Sequence, residues 1–298
     1  MARPRYELLS CRSALNRVEA MPFQWSLNPY RGCAHACQYC YARVTHAYLD
    51  LGIGRDFEEI IFVKQNLSEV LRQELRRSNW RHETIVIGTA TDPYQPAEGS
   101  FRITRQCLEV LADEANPCSV TTKGTLVVRD VDVMQQLACD TSFAVHISLV
   151  TLDRALWQRI EPGTPPPISR LRALEKLRAA GIPAGVFLAP ILPGITDRSE
   201  QLEAVVRAAA EHGATTVWPG VLRLAPGVKE WFLSFLRRDF PHLAVCYERG
   251  YGRGTNAPPA YRERITKYVE ATKAAADFRP SPATTGSPRV GRQFTLPW

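Results

Sequence analysis

What most constrains this chain is a repeated alternation of short apolar runs with helix-spaced segments. Thr84 to Gly88 is a continuous apolar run, the pattern of a strand buried on both faces of a parallel sheet. Cys118 to Thr122, Phe143 to Val150, Ala184 to Leu188 and Thr215 to Trp218 repeat it, and Trp25 to Asn28 supplies a first strand. Helical spacing falls between them: Tyr41 to Leu49, then Leu67, Val70, Leu71 and Leu75 behind Asn66 as N-cap, then Thr104 to Ala112. It returns in a segment ending near Leu137, in Leu152 to Ile160, in Ile168 to Ala180 before the stop at Gly181, and in Ser199 to His212. Gly227 to Arg238 and Arg262 to Ala275 are further helices, Phe57 to Lys64 is β-prone, and Pro162 to Pro167 breaks the chain. About six alternations predict an α/β fold with a parallel sheet and right-handed crossovers. A doubly wound sheet and a barrel both satisfy the pattern. No G-x-G-x-x-G follows the first strand, which counts against a dinucleotide-binding sheet.

A chain of 298 residues, 45% hydrophobic, buries enough for one barrel-sized domain or two smaller ones. No run is apolar enough to span a bilayer, and Met1 to Glu7 lacks the apolar core of a signal peptide. The expectation is a cytoplasmic protein without a membrane partner, whose cysteines stay reduced. The net charge of +7 is compatible with a nucleic-acid partner.

Three of the eight cysteines, Cys33, Cys37 and Cys40, fall in the spacing C-x-x-x-C-x-x-C within Asn28 to Tyr41. Three thiolates so close can meet one inorganic centre without long-range folding. Iron–sulfur clusters usually take four cysteines, so three leave one iron of a [4Fe–4S] cluster open to another ligand. A zinc site with His35 or His46 as fourth ligand is the alternative. His35 between two cysteines reads by default as a surface or supporting residue. Cys11, Cys107, Cys118, Cys139 and Cys246 are scattered, and most are expected to be small buried hydrophobes.

The spacing, with Tyr39 just before the last cysteine, resembles the radical S-adenosylmethionine (radical SAM) superfamily. The resemblance implies a partial (β/α)6 barrel with its chemistry at the C-terminal ends of the strands. It also implies that S-adenosylmethionine chelates the open iron and, on one-electron reduction, yields a 5′-deoxyadenosyl radical that takes a hydrogen from the substrate. An electron donor such as flavodoxin or ferredoxin is implied with it. On this pattern Thr89, Ala90 and Thr91 stand where the family holds the methionyl amino group. Lys123 would neutralise the methionyl carboxylate, and Ser148 would hydrogen-bond that group or the ribose. The Tyr39 backbone and Ala189 would flank adenine. Asp92, Tyr94 and Glu98, in Thr-Asp-Pro-Tyr-Gln-Pro-x-Glu, are either site residues or turn and cap chemistry.

The set Asn-Pro-Tyr-x-Gly-Cys, Cys-x-Tyr-Cys-Tyr-Ala-Arg, Thr-Asp-Pro-Tyr-Gln-Pro-x-Glu, Thr-Lys-Gly and Ala-Pro-Ile-Leu-Pro-Gly-Ile-Thr-Asp is more specific. It resembles the branch grouped with spore photoproduct lyase, often labelled DNA repair photolyase-like, and within it an actinobacterial-type subgroup. The resemblance runs from about Trp25 to about Tyr261 and implies a lyase-like enzyme acting on nucleic acid. One departure matters. The lyase has a hydrogen-donor cysteine near the second-strand loop, and this chain has Gly88-Thr89-Ala90-Thr91 there. Thymine-dimer reversal is therefore not expected, and Tyr94 is the candidate replacement donor. Radical modification of a peptide or small metabolite, or a non-catalytic Fe–S or zinc interaction module, are the competing readings.

The expected organisation is an N-terminal extension (1–24), the barrel (25–250), a C-terminal helical extension (251–278) and a disordered tail (279–298). Phe278 to Arg292 is rich in Pro, Ser, Thr and Gly. Gln293 to Trp298 (QFTLPW) resembles the short peptides by which bacterial DNA-repair and replication proteins bind the sliding clamp.

Overall fold

The structure, a computed structural model, describes residues 4–278 apart from 20, 253 and 277. The proposed clamp peptide at Gln293 to Trp298 lies outside the described residues. Ten strands are described: β1 (Arg5–Leu9), β2 (Leu15–Arg17), β3 (Trp25–Leu27), β4 (Tyr30–Arg31), β5 (Ile60–Lys64), β6 (Ile85–Ile87), β7 (Cys118–Thr122), β8 (Phe143–Ser148), β9 (Ala184–Ile191) and β10 (Val217–Val221). They form two sheets. The larger has the order β10-β9-β8-β7-β6-β3-β2, and β3 through β10 run parallel in it. Those six parallel strands, each met in chain order, are the parallel sheet that the alternation predicts and the partial barrel that the family resemblance implies.

Side chains alternate along each strand. Leu27, Ile85, Ile87, Val120, Val145, Ile147, Val186, Leu188 and Val217 bury one face in a core shared with the helices. Helix Ile103–Asp113 contributes Leu108 and Leu111, helix Pro167–Ala179 Leu171, Leu174 and Leu177, and helix Ser199–Glu211 Leu202, Val205 and Val206. Removing a buried side chain of this size costs about 2–5 kcal/mol.

Four expectations need correction. The N-terminal lead-in is not apart from the sheets: β2 extends the large sheet antiparallel to β3, and β1 pairs with β5 in the small one. Phe57 to Lys64 is not one strand. A short helix, Arg55–Glu59, precedes β5, which leaves the barrel for a separate sheet of order β1-β5-β4. Asn66 starts helix Leu67–Leu75, but its side chain does not cap it. The amide grips Cys11 instead, accepting from its N–H at 2.8 Å and donating to its carbonyl at 3.0 Å. A helix, Pro241–Gly250, fills a stretch where no element is predicted. The C-terminal helix, Pro259–Ala275, packs on helix Ser199–Glu211, and the Tyr261 hydroxyl donates to Asp197 at 2.6 Å. No described helix is long and apolar enough to cross a membrane.

Candidate active site

The cysteine loop is passed from the barrel to the small sheet and back. After β3 the chain enters β4, where Tyr30 pairs with Val63 and Arg31 with Phe62. The loop then turns through Cys33, Cys37 and Cys40 into a 3-10 helix, Tyr41–Leu49. All three thiols are free, with Cys33 and Cys37 buried and Cys40 partly open. Of the scattered five, Cys107 and Cys118 are buried as expected, but Cys139 and Cys246 are exposed.

Four sets of contacts fix this loop. The Cys33 N–H donates to the Phe57 carbonyl at 2.9 Å. Gln95, fully buried, donates to the Gly32 carbonyl at 3.0 Å and accepts from the Ala34 N–H at 3.0 Å. The Gln38 N–H donates to the Ile160 carbonyl at 3.0 Å. Arg43, fully buried, donates to the Cys37 carbonyl through two nitrogens at 3.1 and 3.0 Å, pairs with Glu58, and lies 4.5 Å from the Trp231 ring centroid. Each contact satisfies a backbone group of the loop, and the Arg43 bonds to the Cys37 carbonyl are charge-assisted, the stronger kind.

The expected strand-end residues gather round this loop. Asn28, at the end of β3, accepts from the Ala90 N–H at 2.7 Å and donates to Thr89 Oγ1 at 3.0 Å. The Thr91 hydroxyl donates to the Gly32 carbonyl at 2.7 Å. Tyr41 reaches back from beyond the cysteines to the Thr89 carbonyl. Asp92 is turn chemistry turned to use. Its carboxylate accepts from Thr122 Oγ1 at 2.6 Å, from the Tyr94 N–H at 2.9 Å and from the Lys123 N–H at 2.7 Å. His35 Nδ1 lies 3.2 Å away. Burial would raise this carboxyl, but the His35 ring and the Thr122 and Lys123 bonds hold it well below the usual carboxylate range. Asp92 therefore positions Lys123 rather than presenting itself. His35 is buried, not at the surface, and His46, also buried, engages the Ile60 carbonyl at 3.0 Å.

Lys123 sits just past β7. Its ammonium is 4.0 Å from Glu161 and 5.7 Å from the Tyr39 ring centroid. Burial would lower this lysine, but the neighbouring Cys37 and Glu161 raise it, so it is held as a cation. Glu161 is the hub of a network that the sequence does not announce. It accepts from the Tyr39 hydroxyl and pairs with Arg170 at 2.6 Å, both partners being buried. Arg170 also donates to the Ser148 carbonyl at 3.1 Å and to Thr164, and Ser148 Oγ donates to the Ala189 carbonyl at 3.1 Å. Tyr39, Lys123, Ser148 and Ala189 thus belong to one connected assembly.

Tyr94 does not join it. Only 2% exposed, its hydroxyl donates to Asp130 at 3.1 Å. Asp130 belongs to a second network, in which it and Glu98 are buried and Arg105 and Arg129 partly exposed. A hydroxyl committed to a buried carboxylate is not offered to a substrate, so its role as hydrogen donor is not supported. Glu98, fully buried, accepts from the Thr104 N–H at 2.9 Å and from Tyr30, and so anchors the following helix. Sequence reasoning passed over Arg43, Gln95, Glu161 and Arg170. Arg43 and Gln95 stand inside motifs already quoted, whereas Glu161 and Arg170 flank a proline-rich stretch read as a break.

The donor set suits a cubane cluster. Among the described residues no three His, Cys, Asp or Glu side chains are arranged to hold one metal ion. A cubane asks for a different arrangement, because each of its three cysteine ligands binds a different iron. Burial pushes the Cys33 thiol well above its ordinary range, and Cys37 up to about 12 despite the pull of Lys123. Such thiols ionise as they ligate a metal.

A partial parallel barrel with three thiols clustered in the loop that follows its first strand, and a mostly buried lysine beside them, defines a radical enzyme scaffold. The family profile of the Radical SAM superfamily matches residues 27–209, and the chain belongs to that superfamily. Its cofactors are therefore a [4Fe–4S] cluster and S-adenosylmethionine. An uncharacterized protein of Mycobacterium tuberculosis (strain H37Rv) is 42% identical over 96% of this chain and 86% of its own. An uncharacterized protein of Methanocaldococcus jannaschii is 28% identical over 63% of this chain and 68% of its own. Among solved structures, a spore photoproduct lyase variant with bound AdoMet and dinucleoside spore photoproduct superposes with a TM-score of 0.69. It shares 17% identity and covers 93% of this chain and 80% of its own.

Proposed function

We propose that this chain is a radical SAM enzyme that takes a hydrogen atom from a nucleic-acid substrate, in the manner of a DNA repair lyase. The observation that carries the substrate class is a fold shared over 93% of the chain with a lyase that binds a dinucleoside photoproduct. The net charge of +7 supports it. When bound, the cluster and S-adenosylmethionine supply the 5′-deoxyadenosyl radical. Cys33, Cys37 and Cys40 would hold three irons. Lys123, steadied by Asp92 and Glu161, would face the methionyl carboxylate. Thr89, Ala90 and Thr91 would face the amino end, and Ser148 and Ala189 the nucleoside end. The chain lacks a cysteine at Thr89 to Thr91, and Cys107 and Cys118 are buried in the helix-side core, so a thiol-dependent thymine-dimer reversal is not proposed. Reduction calls for a donor of the flavodoxin or ferredoxin kind, and Gln293 to Trp298 is proposed as a sliding-clamp peptide.

Anaerobically reconstituted protein should cleave S-adenosylmethionine to 5′-deoxyadenosine. Deuterated DNA should pass its label into that product, and DNA affinity should fall as salt rises, through counterion release. Cleavage with no transfer from DNA and no salt-sensitive binding would remove nucleic acid from the account and leave the enzyme class standing.

A further inference from the structure

Three rings meet on the face of the large sheet turned away from the helices: His146 on β8, Phe187 on β9 and Trp218 on β10. Alternation puts them there, because their neighbours Val145, Ile147, Val186, Leu188 and Val217 fill the helix-side core. Centroids are 4.6 Å apart for His146 and Phe187, 4.7 Å for His146 and Trp218, and 5.5 Å for Phe187 and Trp218. Phe187 and Trp218 are register partners, and His146 is opposite Gly185. That glycine is what lets the rings meet. A Cβ on Gly185 would stand 2.9 Å from the Thr216 carbonyl oxygen and 2.5 Å from the indole, so the Trp218 ring occupies the space a side chain would take.

Packing alone does not account for this group. All three rings are partly exposed, and neither Phe187 nor Trp218 packs on the helix-side core. His146 Nδ1 is shut off from solvent and has no hydrogen-bond partner. A phenylalanine would fill the same place without leaving a buried nitrogen unpaired, which is a cost. Burial lowers the imidazole to about 4, so near neutral pH it offers one donor and one acceptor. The group also lies beside the site. Ser148 is two residues beyond His146 on the same strand and the same face, about 7 Å further along. Ser148 is the register partner of Phe187.

We propose that His146, Phe187 and Trp218 form a subsite for a planar heterocycle, the base of a nucleotide substrate, stacked on the partly exposed rings and hydrogen-bonded by the imidazole through Nε2, the ring nitrogen that is not shut off from solvent. The proposal rests on the nucleic-acid reading above. Stacking on aromatic rings tolerates any base, and the imidazole adds an edge contact. The adenine of S-adenosylmethionine is the other planar heterocycle at hand, and the experiment separates the two.

Reconstituted holoenzyme is titrated with thymidylyl-thymidine, with its abasic analogue, with free thymidine and with S-adenosylmethionine. The variants are His146→Phe, which keeps the ring and removes the nitrogens, and Trp218→Leu. Each should weaken the thymidylyl-thymidine complex about tenfold, in line with the loss of one stacked or bonded base contact. The abasic analogue and S-adenosylmethionine should bind as before, and His146→Phe should melt no lower than the parent protein. Unchanged thymidylyl-thymidine affinity overturns the subsite, and so does a loss confined to S-adenosylmethionine, which would make the slot adenine's. If the dinucleotide does not bind the parent protein but free thymidine does, and His146→Phe abolishes it, the subsite stands and the nucleic-acid reading falls. Binding of neither overturns both.

Discussion

Gly163 lies in backbone contact with Ala34. Its N–H donates to the His35 carbonyl at 3.1 Å, and a Cβ built on it would overlap the Ala34 carbonyl oxygen and come within 2.9 Å of the His35 carbonyl. The loop after helix Arg154–Ile160 therefore forms one wall of the cysteine loop, and the atoms in the way are backbone, which cannot swing aside. Gly163→Ala should cost about 1–3 kcal/mol as overpacking and lower cluster loading out of proportion to that loss. Gly99→Ala is the control. It sits in a short helix, Glu98–Phe101, with the nearest side-chain atom 4.0 Å away, and should be neutral or slightly stabilising. Urea unfolding and iron analysis check both, and equal iron content in the two variants would separate Gly163 from the site.

Replacing Cys33, Cys37 or Cys40 by alanine should abolish cluster assembly, seen as loss of iron and of visible absorbance after anaerobic reconstitution. Cys107→Ala and Cys118→Ala should keep the cluster, because both thiols are buried in the helix-side core, at a packing cost of about 1 kcal/mol. In the native protein Cys139 and Cys246, the exposed pair, should be alkylated first. A cluster that survives any of the three loop substitutions would take that cysteine out of the ligand set.

Lys123→Ala should leave the cluster intact, since the Asp92 contact goes to its backbone N–H and survives the substitution. The ammonium beside Tyr39 and Glu161 is lost, and affinity for S-adenosylmethionine should fall at least about tenfold, equivalent to about 1.4 kcal/mol. Equilibrium dialysis measures it directly. Normal binding would mean that the carboxylate clamp lies elsewhere.

How far the sequence reaches can be judged from particular residues. The parallel strands are legible because each is a local apolar run, and Ile85, Val120 and Ile147 carry that signal unaided, although the structure buries mainly one face of each where the runs suggested two. The small sheet is not legible. β1 and β5 pair across more than fifty residues, and neither shows alternation strong enough to outweigh its neighbours. Asn66 has the right residue type for a cap, but Cys11 competes for its amide, and that partner is distant in sequence. The cysteines declare themselves by spacing. Glu161 and Arg170 do not, because their meaning lies in a pairing with Tyr39 and Lys123 that only the folded chain creates.

The Glu161 carboxyl ties that assembly to acid stability. Burial would raise it, but the Arg170 guanidinium, the Lys123 ammonium and the Tyr39 hydrogen bond outweigh burial and hold it below its ordinary 4.5. A carboxylate with a depressed folded value stabilises the protein fully above the unfolded value, and that contribution is lost as pH falls through the folded value. Glu161→Gln keeps the shape but leaves Arg170 buried without its countercharge, a loss of about 3–5 kcal/mol near neutrality. Asp92 is also held low, but it titrates in both proteins and cancels in the difference between them. The gap in apo-protein stability between wild type and Glu161→Gln should therefore be constant from pH 7 to about 5 and narrow below about pH 4. Urea midpoints across that range measure it. A gap that stays constant or widens in acid would show that Glu161 is not the charged centre binding Tyr39, Lys123 and Arg170 together.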